Sequence, residues 1–365
     1  MSGPPFRADH VGSLLRPPRL RAAHERMLAG EFPAEELRSL QDAAIREAIA
    51  MQESAGLQAV TDGEYRRTSF HSDFIEKLEG ARSRGSHAPG AGTFGPRAFE
   101  VTGKLRHSHA VEVENFIFLR DNTSRTAKQT IPSPTMLLRG GRDAVSREAY
   151  PDLEEFHADV ARVYREELQQ LGAAGCTYLQ LDDTNFAYLC DTKLSDAWRG
   201  WGYEFQGVQS AFANLINAAV AGRPGSMSVA IHLCRGNSAG RWAAEGAYEP
   251  IADALFNQLD VDGYFLEYDD ARSGGFEPLR FFPRGSRKKV VLGLVSSKRP
   301  ELESKDALKR RIDAAARHVP LESLCLSPQC GFASTFRGNP LGEEAQRRKL
   351  ERVVEVAAEV WGSAR

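Results

Sequence analysis

The chain has 365 residues, a formal net charge of −2 at pH 7, 26% charged and 42% hydrophobic residues; it can bury a large core, as two ordinary domains or as one large α/β barrel. Its charges fall in short mixed-sign groups with no basic face, which excludes nucleic acid as an expected partner, and no apolar run approaches the roughly 18 residues that span a bilayer. The N-terminus lacks the apolar core of a secretion signal and the five cysteines are thinly spread, so a cytoplasmic protein with reduced thiols available to a metal is expected.

Residues 6–13, FRADHVGS, read as a short strand ending at Gly12 and Ser13, after which LLRPPRL leads into helix. Residues 33–56 carry a helix opened by Pro33, with Glu35 and Glu36 at its positive end and Gly56 as its stop. LQAVTDGEYRR follows as an apolar strand that breaks into Asp62, Glu64, Arg66 and Arg67. Residues 80–130 interrupt the rhythm. A stretch rich in Gly, Ser and Pro is followed by segments around 99–105 and 111–119 that read as β-strands without an intervening helix, so a β-hairpin excursion over one end of the fold is expected. Regularity returns with TIPSPTML at 130–137, a helix over about 153–171, the strand TYLQLDD at 177–183 and a helix over about 205–221. The strand in SVAIHLCRGN (228–237) then ends in His232 and Cys234. Residues 248–258 are helix-compatible, and the strand GYFLEYDD carries Glu267 and Asp269 two apart, on one face. KKVVLGLVSSK (288–298), a helix over 304–318, SLCLSPQCG (323–331) and a terminal helix over about 343–361 complete the chain.

Eight strands, almost all followed by helix, predict a single (β/α)8 TIM barrel domain over residues 1–365, whose C-terminal strand ends converge on one active-site face. A doubly wound open sheet is the competing architecture, but VGSLLRPPRL lacks the Gly-rich turn that fold wants after its first strand. In a barrel, polar residues at distant strand ends become neighbours. His232 and Cys234 share a strand face and form half of a tetrahedral zinc site; Cys330, opening a Gly-containing loop, and Glu267 or Asp269 are candidates for the rest. Cys176 and Cys325 read as buried apolar residues. Glu64 and Asp182, at strand mouths, could bind a cationic amine, the competing reading for Glu64 being pairing with Arg66 or Arg67.

HVGSLLRP, TDGEYRR, LQLDD, HLC, FLEYDD and SPQCG, in this order, resemble the cobalamin-independent methionine synthase family, and specifically its short, catalytic-barrel-only members. The resemblance implies a zinc site at His232, Cys234, Glu267 and Cys330. It implies that Ser13 meets the carboxylate of homocysteine and that Glu64 and Asp182 meet its ammonium group. The activity implied is a zinc-dependent methyltransferase: metal coordination deprotonates the substrate thiol, and the zinc thiolate attacks a methyl donor.

Two departures from that family concern the donor. TIPSPTMLLRGG has no aromatic residue where the family stacks a tryptophan on folate, and LVSSKRP places Ser296, Ser297 and Lys298 where the family has a histidine. These disfavour a folate polyglutamate and leave a methylated corrinoid or corrinoid protein, a small methylated metabolite, or an epoxide. The epoxide option resembles epoxyalkane–coenzyme M transferases, in which Lys298, Arg16 and Arg66 would meet a sulfonate; retention of Glu64 and Asp182 favours an amino-acid thiol. A third reading is a non-catalytic zinc barrel that serves as a binding partner. Phe70, Phe74, Phe186, Tyr188, Trp198 and Trp201 lie near strand mouths and are candidates for the donor pocket. No repeat or heptad pattern fixes an oligomeric state.

Overall fold

The structure, a computed structural model, describes residues 3–83, 99–194, 199, 202, 207–237 and 239–365. α1 (Pro18–Leu28) begins where prolines preset φ for a first helical turn. α2 (Ala34–Ser54) has Glu35 and Glu36 in its first turn and buries Leu37, Ala44, Ile45, Ala48 and Ile49, spaced as one helical stripe. β1 (Ala59–Val60) is only two residues long. Side chains take over the backbone beyond it: Thr61 N–H donates to Gln52 Oε1 at 2.9 Å, and Thr61 Oγ1 donates to Gly12 O at 2.6 Å.

After the single turn of α3 (Ser72–Ile75), β2 (Glu79–Ser83) and β3 (Phe99–Arg106) pair antiparallel, so a two-stranded excursion is present, but β3 pairs with residues 79–83 and not with 111–119 as expected. Its continuation differs. Residues 111–119 read as strand, but α4 (Val113–Asn122) is a helix. The alternation in VEVEN mimics a two-residue period, whereas Phe116 and Leu119, three apart, bury together as a helical face.

The remaining elements are, in chain order, β4 (Thr126–Pro132), α5 (Leu153–Ala173), β5 (Tyr178–Asp183), α6 (Asn185–Tyr188), α7 (Val208–Val220), β6 (Ser228–Leu233), β7 (Gly263–Glu267), β8 (Lys289–Val295), α8 (Lys305–Ala315), β9 (Leu324–Pro328) and α9 (Glu343–Trp361), with only short 3-10 and π turns between β6, β7 and β8 among the described residues. Asp152 caps α5 by accepting from Glu154 N–H, and Ser304 caps α8 by accepting from Ala307 N–H. The expected helix over 248–258 is a broken one, a 3-10 turn at Glu249–Ile251 and a π turn at Ala254–Gln258.

β1, β4, β5, β6, β7, β8 and β9 form one sheet in that order, with every neighbouring pair parallel. Among the described residues the sheet therefore has seven strands where eight were expected. The missing one is residues 6–13, which make a single parallel bridge, Ala8 to Leu326 on β9. The Asp9 carboxylate accepts from Phe6 N–H at 3.2 Å and His10 N–H at 2.8 Å, removing two donors that a regular ladder would need. The segment still reaches both edges of the sheet: Leu326 N–H donates to Arg7 O at 2.8 Å, and Leu14 N–H donates to Gly63 O, beyond β1, at 3.0 Å.

Strand alternation then sorts the side chains. Phe6, Val11, Ala59, Tyr178, Ala230, Phe265, Val291 and Cys325 cluster on one face of the sheet, while the larger core packs the other face against the helices. Residues two or four further along each strand share the face of the smaller cluster, and that alternation brings Asp182, four beyond Tyr178, together with His232 and Glu267, two beyond Ala230 and Phe265, above it. No helix among the described residues is long and apolar enough to cross a membrane.

Two histidines are buried neutral. Burial, then Lys128, takes His10 from 6.5 to about 4, and burial, then Arg139, takes His71 from 6.5 to about 3. Both values are lowered, so the unfolded chain binds these protons first, and stability falls as pH drops from about 6.5 towards 4. Urea unfolding should show a loss on the order of 3 kcal/mol per histidine over that window. His10→Gln should flatten the profile; an unchanged acid limb in that variant would contradict the assignment.

Candidate metal centre

β6 delivers the first two ligand candidates. His232 is in register with Asp182 on β5, and Cys234 lies one residue past the end of the strand, its N–H donating to Asp183 O at 2.7 Å as the ladder continues. Gly236 N–H donates to Cys234 Sγ at 3.3 Å. This approach needs glycine: Gly236 has φ +91°, and a Cβ there would meet Ala243 Cβ at 2.8 Å. Cys330 lies just after β9 and is placed by Gln329 N–H donating to Val295 O at 2.8 Å. Glu267 ends β7, with Tyr248 OH accepting from its N–H at 2.9 Å.

These strand ends meet. One ligand atom each from His232, Cys234, Glu267 and Cys330 lie within 4.8 Å of one another, all four residues are buried, and the two sulfurs are 3.4 Å apart. Donor atoms around a tetrahedral zinc ion stand roughly 3.3–3.8 Å apart. Among the described residues neither ring nitrogen of His232 has a nitrogen or oxygen hydrogen-bond partner, which is costly for a buried imidazole unless a ligand meets it; the Cys330 thiol is the group beside it. The donor set of one imidazole, two thiols and a carboxylate fits zinc.

The contact between the two thiols drives their acidities apart. Hydrogen bonding to Cys234, and then the adjoining His232, holds Cys330 well below the ordinary thiol range, while the same contact raises Cys234. Burial alone would push the Glu267 carboxyl up, but Lys298 and Arg272 outweigh it and lower it. Glu267 Oε2 accepts from Arg272 at 2.6 Å and lies 3.7 Å from Lys298 Nζ; Oε1 accepts from Arg235 N–H at 2.8 Å. Of the two acids left open by the sequence, Glu267 is in the cluster, and Asp269 pairs with Arg272 at 2.9 Å.

Ser13, Glu64 and Asp182 line the same pocket as His232, Cys234 and Cys330. Glu64 holds φ +60°, a strained conformation for a residue with a side chain. Its Oε1 accepts from Thr130 Oγ1 at 3.0 Å, while Oε2 is buried without a hydrogen-bond partner among the described residues. The arginine pairing considered for it is weak: Arg66 pairs with Asp42 at 2.8 Å, and Arg67 reaches Glu64 only at 3.8 Å. Burial, then Glu64, pushes the Asp182 carboxyl up to about 7. Two buried acids thus face one pocket with too little positive charge between them. The neighbouring acids have other work, since Asp62 accepts from Glu64 N–H at 2.8 Å and Asp183 from Phe186 N–H at 2.8 Å.

Other expectations are corrected. Arg16 does not face the pocket; it donates to Ala333 O at 2.8 Å and Glu64 O at 2.5 Å. With Arg66 on Asp42 and Lys298 beside Glu267, none of the three cations considered for a sulfonate is among the residues lining the pocket. Phe70 and Tyr188 line it, whereas Phe74 and Phe186 pack in the core against Tyr164 and Phe212. Trp198 and Trp201 lie outside the described residues. Sequence reasoning missed Arg139 and Asn237, two further pocket residues on loops where no periodicity marks a position.

Gly331, beside Cys330, is a further constraint. A Cβ there would sit 1.9 Å from Ser13 Oγ and 3.1 Å from Ser13 Cβ. Gly331→Ala should displace Ser13 and weaken binding of an amino-acid thiol by about tenfold in calorimetry. Unchanged affinity would remove Ser13 from the binding set.

The family described as "Cobalamin-independent synthase, Catalytic domain" matches over residues 6–359. A Bacillus subtilis (strain 168) relative, uncharacterized protein YxjH, is 43% identical, with 98% of this chain and 95% of that protein covered. A methionine synthase of Pyrococcus abyssi is 26% identical, covering 97% of this chain and 94% of the relative. Among solved structures, a Listeria monocytogenes protein provisionally named a vitamin-B12 independent methionine synthase superposes with a TM-score of 0.82 at 38% identity, covering 100% of both chains.

Proposed function

The chain belongs to the cobalamin-independent synthase family, and from that membership we propose that it is a zinc-dependent S-methyltransferase acting on homocysteine. One observation carries the reading: His232, Cys234, Glu267 and Cys330 form one cluster, and three of them, His232, Cys234 and Cys330, line the pocket that Ser13, Glu64 and Asp182 also line. Zinc held by those four residues would supply the Lewis acidity that ionises an entering thiol at neutral pH.

The chain's own residues orient the substrate. Glu64 and Asp182 accept hydrogen bonds from its ammonium group, whose charge relieves the repulsion between the two buried acids. The Ser13 hydroxyl donates to its carboxylate. Arg272 and Lys298 hold the Glu267 carboxylate and offset its charge, so the site does not accumulate three uncompensated anions. With the amino-acid end fixed, the sulfur is presented to the donor's methyl group; the S–C bond forms as the methyl leaves the donor. In this reading residues 6–14 complete the sheet into one barrel-like, zinc-binding domain. The family's named relatives support homocysteine as the acceptor, since one from Thermotoga maritima, 23% identical, is a 5-methyltetrahydropteroyltriglutamate–homocysteine methyltransferase.

The test is a thiol panel in calorimetry. Homocysteine should bind the zinc-loaded protein at least about tenfold more tightly than coenzyme M and should lose that affinity when zinc is removed. A preference for coenzyme M would move the assignment to the epoxyalkane-type transferases. Binding of neither would leave a non-catalytic zinc protein.

A further inference from the structure

Glu267 is held at both ends by a pair of buried residues. Its backbone N–H donates to the Tyr248 hydroxyl at 2.9 Å, and that hydroxyl in turn donates to Glu267 O at 3.4 Å. At the other end of the side chain, Oε1 accepts from Arg235 N–H at 2.8 Å. The two supports are joined. The Arg235 guanidinium carbon lies 4.3 Å from the centroid of the Tyr248 ring, and the Cys190 thiol is beside the guanidinium. Both side chains are fully buried.

These contacts lie where the sheet stops fixing the ligands. The pairing of β6 with β7 ends at Leu233 and Leu266, one residue before Cys234 and Glu267. Pairing between those two strands therefore does not by itself set the distance from the thiol to the carboxylate. Arg235, which follows Cys234 in the chain, and Tyr248, which holds the backbone of Glu267, bridge that gap. Neither is among the residues that line the pocket, so their influence passes through Glu267 and not through the thiol substrate. Tyr268 supplies a contrast. It is equally buried, its ring centroid is 5.3 Å from that of Tyr248, and its hydroxyl has no hydrogen-bond partner among the described residues.

We infer that Tyr248 is a positioning residue for the metal centre: its hydroxyl, with the Arg235 guanidinium against its ring, fixes where the Glu267 carboxylate stands relative to Cys234 and so how tightly zinc is held. This rests on the reading of the His232, Cys234, Glu267 and Cys330 cluster as a zinc site.

Zinc affinity, measured by competition with a chromophoric chelator, tests it in a double-mutant cycle. Tyr248→Phe leaves the Glu267 N–H without its acceptor and should weaken zinc binding by about tenfold to a hundredfold. Tyr268→Phe removes the neighbouring hydroxyl and should leave the affinity within about twofold. In a Glu267→Gln background, Tyr248→Phe should cost less than about twofold more, because the carboxylate through which it acts is gone. Arg235→Lys keeps the N–H and the charge but loses the planar group against the ring. It should weaken zinc in the same direction, again only while Glu267 is present, and it carries the test if Tyr248→Phe does not fold. The visible absorption of the cobalt-substituted protein should change in Tyr248→Phe and not in Tyr268→Phe. Melting temperatures of the metal-free variants report folding. Unchanged zinc affinity in Tyr248→Phe, an equal loss in Tyr268→Phe, or the full loss persisting in Glu267→Gln would overturn the inference and leave the zinc reading standing. If the unaltered protein binds no zinc, the zinc reading falls and the inference falls with it.

Discussion

Cys234→Ser is expected to lose its zinc and its thiol transfer together while the protein stays folded. Cys234 sits past the end of β6 with its sulfur 3.4 Å from Cys330 Sγ, and an alkoxide-forming hydroxyl is a far poorer ligand for a borderline-soft ion than a thiolate. Zinc stoichiometry should fall from near one to near zero, with activity down by at least about a hundredfold. The loss is local because Cys234 adds little to the apolar core beneath it, so circular dichroism and the hydrophobic packing of Tyr178, Ala230 and Phe265 should survive. Cys325→Ser, by contrast, alters a cysteine within that core and should cost stability with zinc retained. A Cys234→Ser protein that keeps full zinc and activity would contradict the site.

Asp182→Asn is expected to separate binding from metal chemistry. In the proposed binding mode the residue would contribute a charge-assisted hydrogen bond to the substrate ammonium, worth about 1.5–3 kcal/mol. KM for homocysteine should therefore rise roughly tenfold to a hundredfold, with zinc content unchanged and kcat much less affected. The same change should stabilise the substrate-free protein at pH 8. Burial and Glu64 raise the Asp182 carboxyl to about 7, so the folded state favours the protonated acid and that stabilisation is lost as pH rises through about 7. Asparagine has no proton to lose. A melting curve that is no higher for the variant at pH 8, or a KM that does not move, would show that Asp182 is not half of an ammonium clamp.

The sequence made some of this visible and hid the rest, for physical reasons. A strand has a strict two-residue period, so His232 and Cys234 announced a shared face, and polar breaks at the ends of apolar runs pointed to Glu267, Asp182 and Cys330. α9 and α5 were legible because long amphipathic stripes admit little ambiguity. α4 was misread because a few alternating residues in VEVEN outweighed the buried pair Phe116 and Leu119. Residues 6–13 carry a strand-like pattern, yet the Asp9 side chain competes for their N–H groups and leaves one bridge. Arg139 was beyond reach of any periodicity: its position depends on a loop that Thr184 and Asn185 hold from another strand's end. The choice of Glu267 over Asp269 likewise needed Arg272, which binds both acids and leaves Glu267 facing the cysteines.

Zinc K-edge absorption of the loaded protein, before and after homocysteine, addresses the metal centre itself. The expected spectrum has two sulfur ligands from Cys234 and Cys330 and light-atom ligands from His232 and Glu267, and it gains one sulfur when homocysteine is added. A first shell without two sulfurs, or one that homocysteine leaves unchanged, would contradict the account.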